Sequence, residues 1–229
     1  MKTLSIIIPA YNEGKTIIGV IEKVAALALP GWEKQIIVVD DGSTDGTGEA
    51  LKCFSGAVLL LRHDTNRGKG AALRSAHAHA TGDAVLIQDA DLEYDPNDIP
   101  SLLAELSDET VHAVYGARAP DMRTSTHPHY VAGARALTAL TNFCFGSCLT
   151  DLYTCYKLVR TSVLKELSLT SAGFEYEMEL TAKLLKRRCR IVEIPIQYTP
   201  RSFAEGKKIR PRDGFIGAVT LVKTLFRKR

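Results

Sequence analysis

No apolar run in this chain approaches the ~20 residues that a bilayer-spanning helix requires. The first apolar stretch, Leu4 to Pro9, is too short for a secretory leader and ends in proline. Cysteine is scarce: the five present are odd in number and show no Cys-x-x-Cys spacing. That argues against structural zinc and favours a reducing compartment. Cys144 and Cys148, four apart in a helical pattern, read as small core residues. A net charge of +3 over 229 residues is too small to point to nucleic acid. Internal repeats, low-complexity tracts and linkers are also missing. These absences leave the expectation of one cytoplasmic, non-spanning domain over residues 1–229.

The residues that are present can bury a sizeable core, since 45% are hydrophobic. The first half alternates β-type runs with helical spacing. Leu4–Ile8, Gln35–Val39, Ala57–Leu61, Ala84–Ile87 and Val111–Tyr115 read as strands. Helices are expected over Glu13–Leu29, from about Thr47 to Phe54, over Lys69–Ala80, and from Pro96 onward. This alternation predicts parallel βαβ units in an open sheet covered on both faces. In such sheets ligands bind beyond the carboxyl ends of the strands. There the chain places Tyr11, Asn12 and Glu13, then Asp40 and Asp41, Asp89 and Asp91, and Arg118. The second half breaks the rhythm with a polar loop at 119–129. A helix is expected over Tyr130–Phe145, a strand over Tyr153–Val159, a charged amphipathic helix over Phe174–Arg187 and a strand over Cys189–Ile194. A basic stretch, Arg201–Arg212, precedes an amphipathic tail.

The most informative segment is Asp-Ala-Val-Leu-Ile-Gln-Asp-Ala-Asp-Leu-Glu-Tyr-Asp at 83–95. Asp89 and Asp91, two apart in extended chain, point the same way. Two carboxylates that close repel unless a cation lies between them, and oxygen ligands suit Mg²⁺ or Mn²⁺. A solvated turn is the alternative. Asp40 could accept from a base or ribose donor, with Ser43, Thr44 and Asp45 capping the next helix. That loop is not an EF-hand, because Lys52 stands where the twelfth-position carboxylate is required. Asn66-Arg67-Gly68-Lys69-Gly70 is not a Walker A sequence. Its glycines allow a close turn into a helix whose N-terminus and Lys69 face the ligand side, with phosphate contact and a purely structural turn both open. His77 and His79 read as structural or surface residues.

Taken together, these segments resemble the GT-A glycosyltransferases of family 2, and most closely the dolichol- or polyprenyl-phosphate mannosyl- and glucosyltransferases. The matching stretches are Ile-Ile-Ile-Pro-Ala-Tyr-Asn-Glu (6–13), Val-Val-Asp-Asp-Gly-Ser (38–43), Asn-Arg-Gly-Lys-Gly (66–70) and Asp-Ala-Asp-Leu-Glu (89–93). They continue with Tyr-Gly-Ala-Arg (115–118), Thr-Asp-Leu-Tyr-Thr-Cys-Tyr-Lys (150–157), Gly-Phe-Glu-Tyr-Glu (173–177) and Arg-Ser-Phe-Ala-Glu-Gly-Lys-Lys (201–208). The resemblance runs almost end to end and implies an α/β, Rossmann-like GT-A fold with a mostly parallel central sheet flanked by helices. Residues 1–118 would form the nucleotide-sugar half and 119–229 the acceptor half.

The resemblance further implies an inverting transfer of a hexose, mannose or glucose, from a GDP- or UDP-sugar to polyprenyl or dolichyl phosphate. Pro9, Tyr11, Glu13, Asp40, Lys69 and Asp89 would line the donor site. Asp89, Asp91 and Glu93 would hold Mg²⁺ or Mn²⁺, with Asp91 the principal ligand and Glu93 standing where some relatives carry Gln. Arg118, Arg135, Arg201, Lys207 and Lys208 would grip the acceptor phosphate. An ionised phosphate acceptor needs no strong base, whereas a hydroxyl acceptor, on a glycan or glycolipid, would use Asp151 or Glu175. A helix-terminal or capping role for those two stays open. A non-catalytic nucleotide-sugar-binding assembly subunit is the reading from another class. Relatives often add transmembrane helices after this point, whereas this chain stops at Arg229. The basic amphipathic tail accordingly suggests a peripheral enzyme on the cytoplasmic membrane face, lying on the membrane surface or recruited by a membrane-protein partner.

Overall fold

In the computed structural model the described residues are 1–119, 128–201 and 211–226, with side chains described for all of these except 128–131 and 211–213. Seven strands form one sheet in the order β3-β2-β1-β4-β6-β5-β7. They are β1 (Lys2–Ala10), β2 (Trp32–Asp40), β3 (Leu59–Arg62), β4 (Ala84–Ile87), β5 (Ala113–Arg118), β6 (Lys157–Arg160) and β7 (Ile191–Ile196). Only β6 runs against its neighbours, pairing antiparallel with both β4 and β5. This is the mostly parallel α/β sheet that the alternation predicted, in the GT-A-type arrangement that the resemblance implied.

Two points of organisation differ from the sequence expectation. β5 is not beside β4, because β6 is inserted between them. The parallel rhythm continues only as β5–β7. The expected strand over Tyr153–Val159 also begins late, at Lys157. Residues before it are diverted into turns, where Thr154 donates to the Gly116 carbonyl and Tyr94 receives the Cys155 amide. Since β6 is antiparallel, its first residue lies at the edge where β1, β2, β4 and β5 end. Lys157 is thereby carried to the mouth of the sheet.

Helices cover both faces. β1 alternates, with Ile6 and Ile8 in one apolar cluster and Ile7 in the other. The first cluster packs against α1 (Ile17–Ala26) and α4 (Ile99–Glu105). The second packs against α3 (Lys69–His77) and α7 (Tyr176–Lys186). Shorter α2 (Thr47–Ala50) and α6 (Thr161–Lys165) fill connections. α5 (Pro128–Phe145) and α8 (Pro211–Phe226) pack beside α7 around Leu149, Met178, Ala182 and Leu221.

Two expected helices change character. α1 is shorter than Glu13–Leu29. It starts only after a turn at Glu13–Thr16, and the Lys34 ammonium caps its C-terminal end by donating to the Val24, Ala25 and Leu27 carbonyls. α7 is charged in sequence, yet Glu177 and Glu179 are buried along with Tyr176, Met178, Leu180 and Leu184. A helix buried on nearly every side must pair its charges internally, and that requirement shapes the site.

Candidate active site

At the carboxyl edge, β1 and β2 end in register at Ala10 and Asp40. The chain after β1 turns through Asn12, a non-glycine residue with φ 52°. Ser43 Oγ accepts the Asn12 amide, and Asn12 Oδ1 accepts the Thr44 amide. The two loops are thus stitched together, and Glu13 is placed beside them. Leu92, between Asp91 and Glu93, has φ 61°. Left-handed backbone at a leucine costs on the order of 1–3 kcal/mol and persists only where its surroundings dictate it. Both strained residues flank candidate carboxylates, and neither was foreseen. Thr16 Oγ1 donates to the Ala90 carbonyl at 2.7 Å, joining the Glu13 turn to the Asp-Ala-Asp loop.

Asp40 and Asp41, adjacent in sequence, have separate tasks. Asp41 is wholly structural: His63 and the Arg67 and Gly68 amides converge on its carboxylate. Asp40 Oδ1 accepts the Ser43 amide at 2.9 Å, while its buried Oδ2 has no hydrogen-bond partner and meets only the exposed Arg62 guanidinium, in an ion pair at 3.5 Å. A buried carboxylate oxygen at a strand end that lacks a hydrogen bond can accept a further donor. The expected helix caps take another form, with Asp45 accepting from the Thr47 amide ahead of α2.

Gly68, with φ 95° just ahead of α3, makes the expected close turn into the helix, and both Gly68 and Gly70 also admit a neighbouring backbone. A Cβ on Gly70 would meet Ser171 O at 2.6 Å, and one on Gly68 would collide with Ala172 O. The Ala71 amide near the start of α3 donates to that same Ala172 carbonyl. The loop is therefore a docking seat for residues 171–173. Its Arg67, Gly68 and Ala71 amides are spent on protein acceptors rather than left for phosphate.

The carboxylates of the central loop are treated unequally. Lys69 Nζ pairs with Asp89 Oδ1 at 2.8 Å, also meeting Cys155 Sγ at 3.0 Å. Burial opposes the charge of Asp89, but Lys69, Cys155 and Arg201 together outweigh it and hold the carboxyl below its ordinary pKa. Asp91 has the opposite balance. Burial, Asp89 and Glu93 push its pKa up to about 7, against the pull of Arg201. Arg201 Nη2 reaches Asp91 Oδ2 at 2.7 Å, and the same guanidinium bridges Glu13 at 3.1 Å. Glu93 accepts from the Tyr198 hydroxyl and, at 2.9 Å, from the Arg201 amide. Among the described residues, no three Asp, Glu, His or Cys side chains converge as a ready metal cage. Of the three carboxylates expected to ligate, Asp89 is engaged by Lys69, Asp91 by Arg201, and Glu93 by both Tyr198 and Arg201. Asp91 still has the chemistry a divalent ion needs: a hard oxygen donor, crowded by like charge, balanced here by one mobile-length guanidinium.

On the acceptor side, Asp151 accepts three bonds from Arg118, from its amide, Nε at 2.7 Å and Nη2 at 2.9 Å. The guanidinium also lies 4.9 Å from the Tyr198 ring centre. Burial works against its charge, and Tyr94 and Asp151 outweigh burial, raising its pKa further. Glu193 holds the Thr150 and Asp151 amides, fixing this turn. Glu175 Oε1 accepts the Ala172 and Gly173 amides. Pro9 and half-buried Tyr11 lie at the mouth of β1, as expected. Arg135 is exposed on α5 and shares no hydrogen bond or ion pair with another candidate among the described residues. Lys207 and Lys208 lie outside the described residues. The structure thus brings together Glu13, Asp40, Asp89, Asp91, Arg118, Asp151 and Arg201 at one edge. Lys157, Glu177, Tyr94 and Tyr198 were not singled out. The only trace of Lys157 and Glu177 was their place inside matched motifs.

Comparison with known proteins agrees with this geometry. Residues 5–168 match the family described as Glycosyl transferase family 2. Glycosyltransferase AglJ of Haloferax volcanii is 30% identical over 214 residues, covering 92% of this chain and 68% of AglJ. Among solved structures, glucosyl-3-phosphoglycerate synthase of Mycobacterium tuberculosis superposes with a TM-score of 0.75 at 22% identity. That complex contains Mn²⁺, UDP-glucose and phosphoglyceric acid, and the match covers 100% of this chain and 81% of the synthase. The same synthase with Mg²⁺ and UDP gives 0.73 at 24% identity, covering 98% and 78%. Identities this low speak for the fold, while the family match spans most of the chain. The chain belongs to glycosyltransferase family 2 and is a glycosyltransferase.

Proposed function

We propose that this enzyme transfers a hexose, mannose or glucose, from a GDP- or UDP-sugar to a polyprenyl or dolichyl phosphate at the cytoplasmic membrane face, with inversion. Residues 1–118 serve as the donor half and 119–229 as the acceptor half. Asp40 receives a donor from the nucleoside through Oδ2, which holds no hydrogen bond and only a 3.5 Å ion pair with exposed Arg62, with Pro9, Tyr11 and Glu13 lining the same edge. Asp91 is the principal holder of Mg²⁺ or Mn²⁺, the ions found with UDP in the solved relatives. When bound, such an ion neutralises charge building on the leaving diphosphate. Arg201 moves from Asp91 to phosphate oxygens, and Arg118 orients the acceptor phosphate from its place over Tyr198.

The observation that carries the phosphate reading is the state of the two candidate bases. Asp151 gives both oxygens to Arg118, and Glu175 gives one oxygen, Oε1, to two backbone amides. A carboxylate held on both oxygens by a guanidinium, as Asp151 is, is a poor proton acceptor, and an acceptor already ionised needs none. The membrane side of the reading rests on α5 and α8. No helix among the described residues is long and apolar enough to cross a bilayer. Each of these two nevertheless turns apolar side chains outward: Leu140 and Phe143, then Phe215, Val222 and Phe226. Arg227, Lys228 and Arg229 follow directly in sequence, which suits an anionic lipid surface. A small phosphorylated acceptor is the second reading, because the solved relative binds phosphoglyceric acid.

The test is transfer by the purified chain from UDP-glucose and GDP-mannose, with Mn²⁺ or Mg²⁺, to short-chain polyprenyl phosphate and, separately, to phosphoglycerate. Product on the polyprenyl phosphate supports the proposal. Product on phosphoglycerate or glycan hydroxyls alone replaces the acceptor, and undiminished transfer in excess chelator removes the metal.

A further inference from the structure

Behind Asp89 lies a buried chain of alternating charges that the transfer reaction does not by itself require. It begins with Lys157, which is fully buried. Its ammonium donates to the Leu152 carbonyl at 3.1 Å and to the Thr154 carbonyl, and lies 5.0 Å from the Tyr115 ring centre. A buried ammonium is costly unless paired, and its counter-charge is Glu177 Oε2 at 2.7 Å. Glu177 is itself buried, with its side chain 5% exposed. Its other oxygen, Oε1, has no hydrogen-bond partner and stands 3.4 Å from Lys69 Nζ. Lys69 then meets Asp89 at 2.8 Å. An ammonium has three donors. Those of Lys69 face Asp89, Cys155 and Glu177, three acceptors from three separate parts of the chain.

We propose that Glu177 is a positioning residue for the Asp-Ala-Asp site. Anchored by Lys157, it holds the Lys69 ammonium against Asp89. The position of Asp89 is thereby set from α7, and Asp91 is left as the carboxylate that faces the divalent ion. Lys69 is accordingly a fixed internal counter-charge rather than a phosphate ligand. The charge count agrees. Glu13, Asp89, Asp91, Glu93 and Glu177 face Lys69, Lys157 and Arg201, leaving two negative charges, which one divalent ion balances. The inference rests on the proposed metal site at Asp91.

The experiment measures Mn²⁺ bound in the presence of UDP, from the loss of the free-ion electron paramagnetic resonance signal, alongside the melting temperature and the KM and kcat of transfer. Three proteins are compared: wild type, Glu177→Gln and the double variant Lys157→Met/Glu177→Gln. Partners that orient a ligating carboxylate are worth about 10–100-fold in metal affinity. Glu177→Gln should therefore weaken Mn²⁺ binding and raise the donor KM about tenfold or more, with kcat at saturating Mn²⁺ little changed. The double variant carries no unpaired buried charge and should regain the melting temperature without regaining Mn²⁺ affinity. If Glu177→Gln does not fold, the double variant alone decides the matter. Mn²⁺ binding as tight as wild type in either variant would overturn the proposal, because Glu177 would then serve only to neutralise Lys157. Failure of the wild type to bind Mn²⁺ with UDP would instead remove the metal reading on which the inference stands.

Discussion

The two halves of the carboxyl edge are built by opposite means. On the side of the expected donor site, β1, β2 and β4 each lead into acidic residues, and local turns hold several of them: Asp40 with Ser43, Asp45 with Thr47, Asp91 with Glu93. On the acceptor side, the cations arrive from far along the chain. Arg201 reaches Glu13 and Asp91, Lys157 reaches Glu177, and Arg118 reaches Asp151. The strand ends before residue 95 concentrate negative charge, compensated nearby by Lys69 and from far along the chain by Arg201. A site assembled this way is poised: its acidic cluster is stable only while some cation, from the protein or from solution, is present.

The largest test of that division falls on Asp91. Asp91→Asn should lower transfer by about 10²–10³-fold, the scale expected when an electrostatic stabiliser of the leaving group is lost. The same substitution should leave the melting temperature unchanged or raise it, because it removes a carboxylate whose charge burial and two acidic neighbours oppose. A steady-state assay beside a thermal melt checks both. A variant that loses stability and activity together would mean that Asp91 is structural.

The second test asks whether the acceptor half depends on its internal ion pairs for stability. Glu179 on α7 receives Lys183 and the Thr170 and Ser171 amides. Burial opposes its charge, yet these partners bring its pKa down from 4.5 to about 2. A carboxyl depressed in the folded state stabilises it above the unfolded pKa, and that contribution is lost as pH falls through the folded one. Stability from this group should thus decline between about pH 4.5 and about pH 2, by on the order of 3 kcal/mol. Denaturant titrations across that window should show a flatter acid limb for Glu179→Gln than for wild type. An identical limb would show that the pair is too solvated to matter.

The third test strikes the seam between the halves. Gly70 seats α3 against Ser171, where a Cβ would come to 2.6 Å of a backbone oxygen. Gly70→Ala should cost about 1–3 kcal/mol, the usual scale of overpacking. It should also shift Lys69, the next residue, away from Asp89. A melt reads the first effect, and a donor KM that rises without loss of kcat reads the second.

How much of this was legible depends on distance along the chain. The alternating strands and the acidic strand ends follow from short-range patterns, and β1, β2 and β4 stand where those patterns put them. Boundaries failed where a distant group intervened. Lys34 ends α1, and a bond from Thr154 to Gly116 delays β6. The insertion of β6 between β4 and β5 leaves no local mark, since its pairing partners lie more than forty positions away in sequence. The same holds for Lys69. The sequence offers a lysine beside two glycines, and only the packing of α7 reveals that the glycines admit a backbone and the lysine answers a buried glutamate. Charge in the Phe174–Arg187 pattern reads as an exposed face, and burial of Glu177 and Glu179 reverses it.

The smallest expected change is the one that separates the two acceptor chemistries. If Asp151 were a general base, Asp151→Asn would cut kcat by about 10²–10⁴-fold, because proton abstraction contributes on that scale. The structure gives its carboxylate another occupation, with both oxygens on Arg118 and its own amide on Glu193. Asparagine keeps one of those acceptors and the shape of the turn. Arg118 should then be held loosely rather than released, raising the acceptor KM about tenfold with kcat nearly intact, as expected for weakened positioning of a bound group. A collapse of kcat that disappears when the acceptor is already ionised would restore Asp151 as a base. A shift confined to KM would leave the Arg118–Asp151 pair as a binder of negative charge that moves no proton.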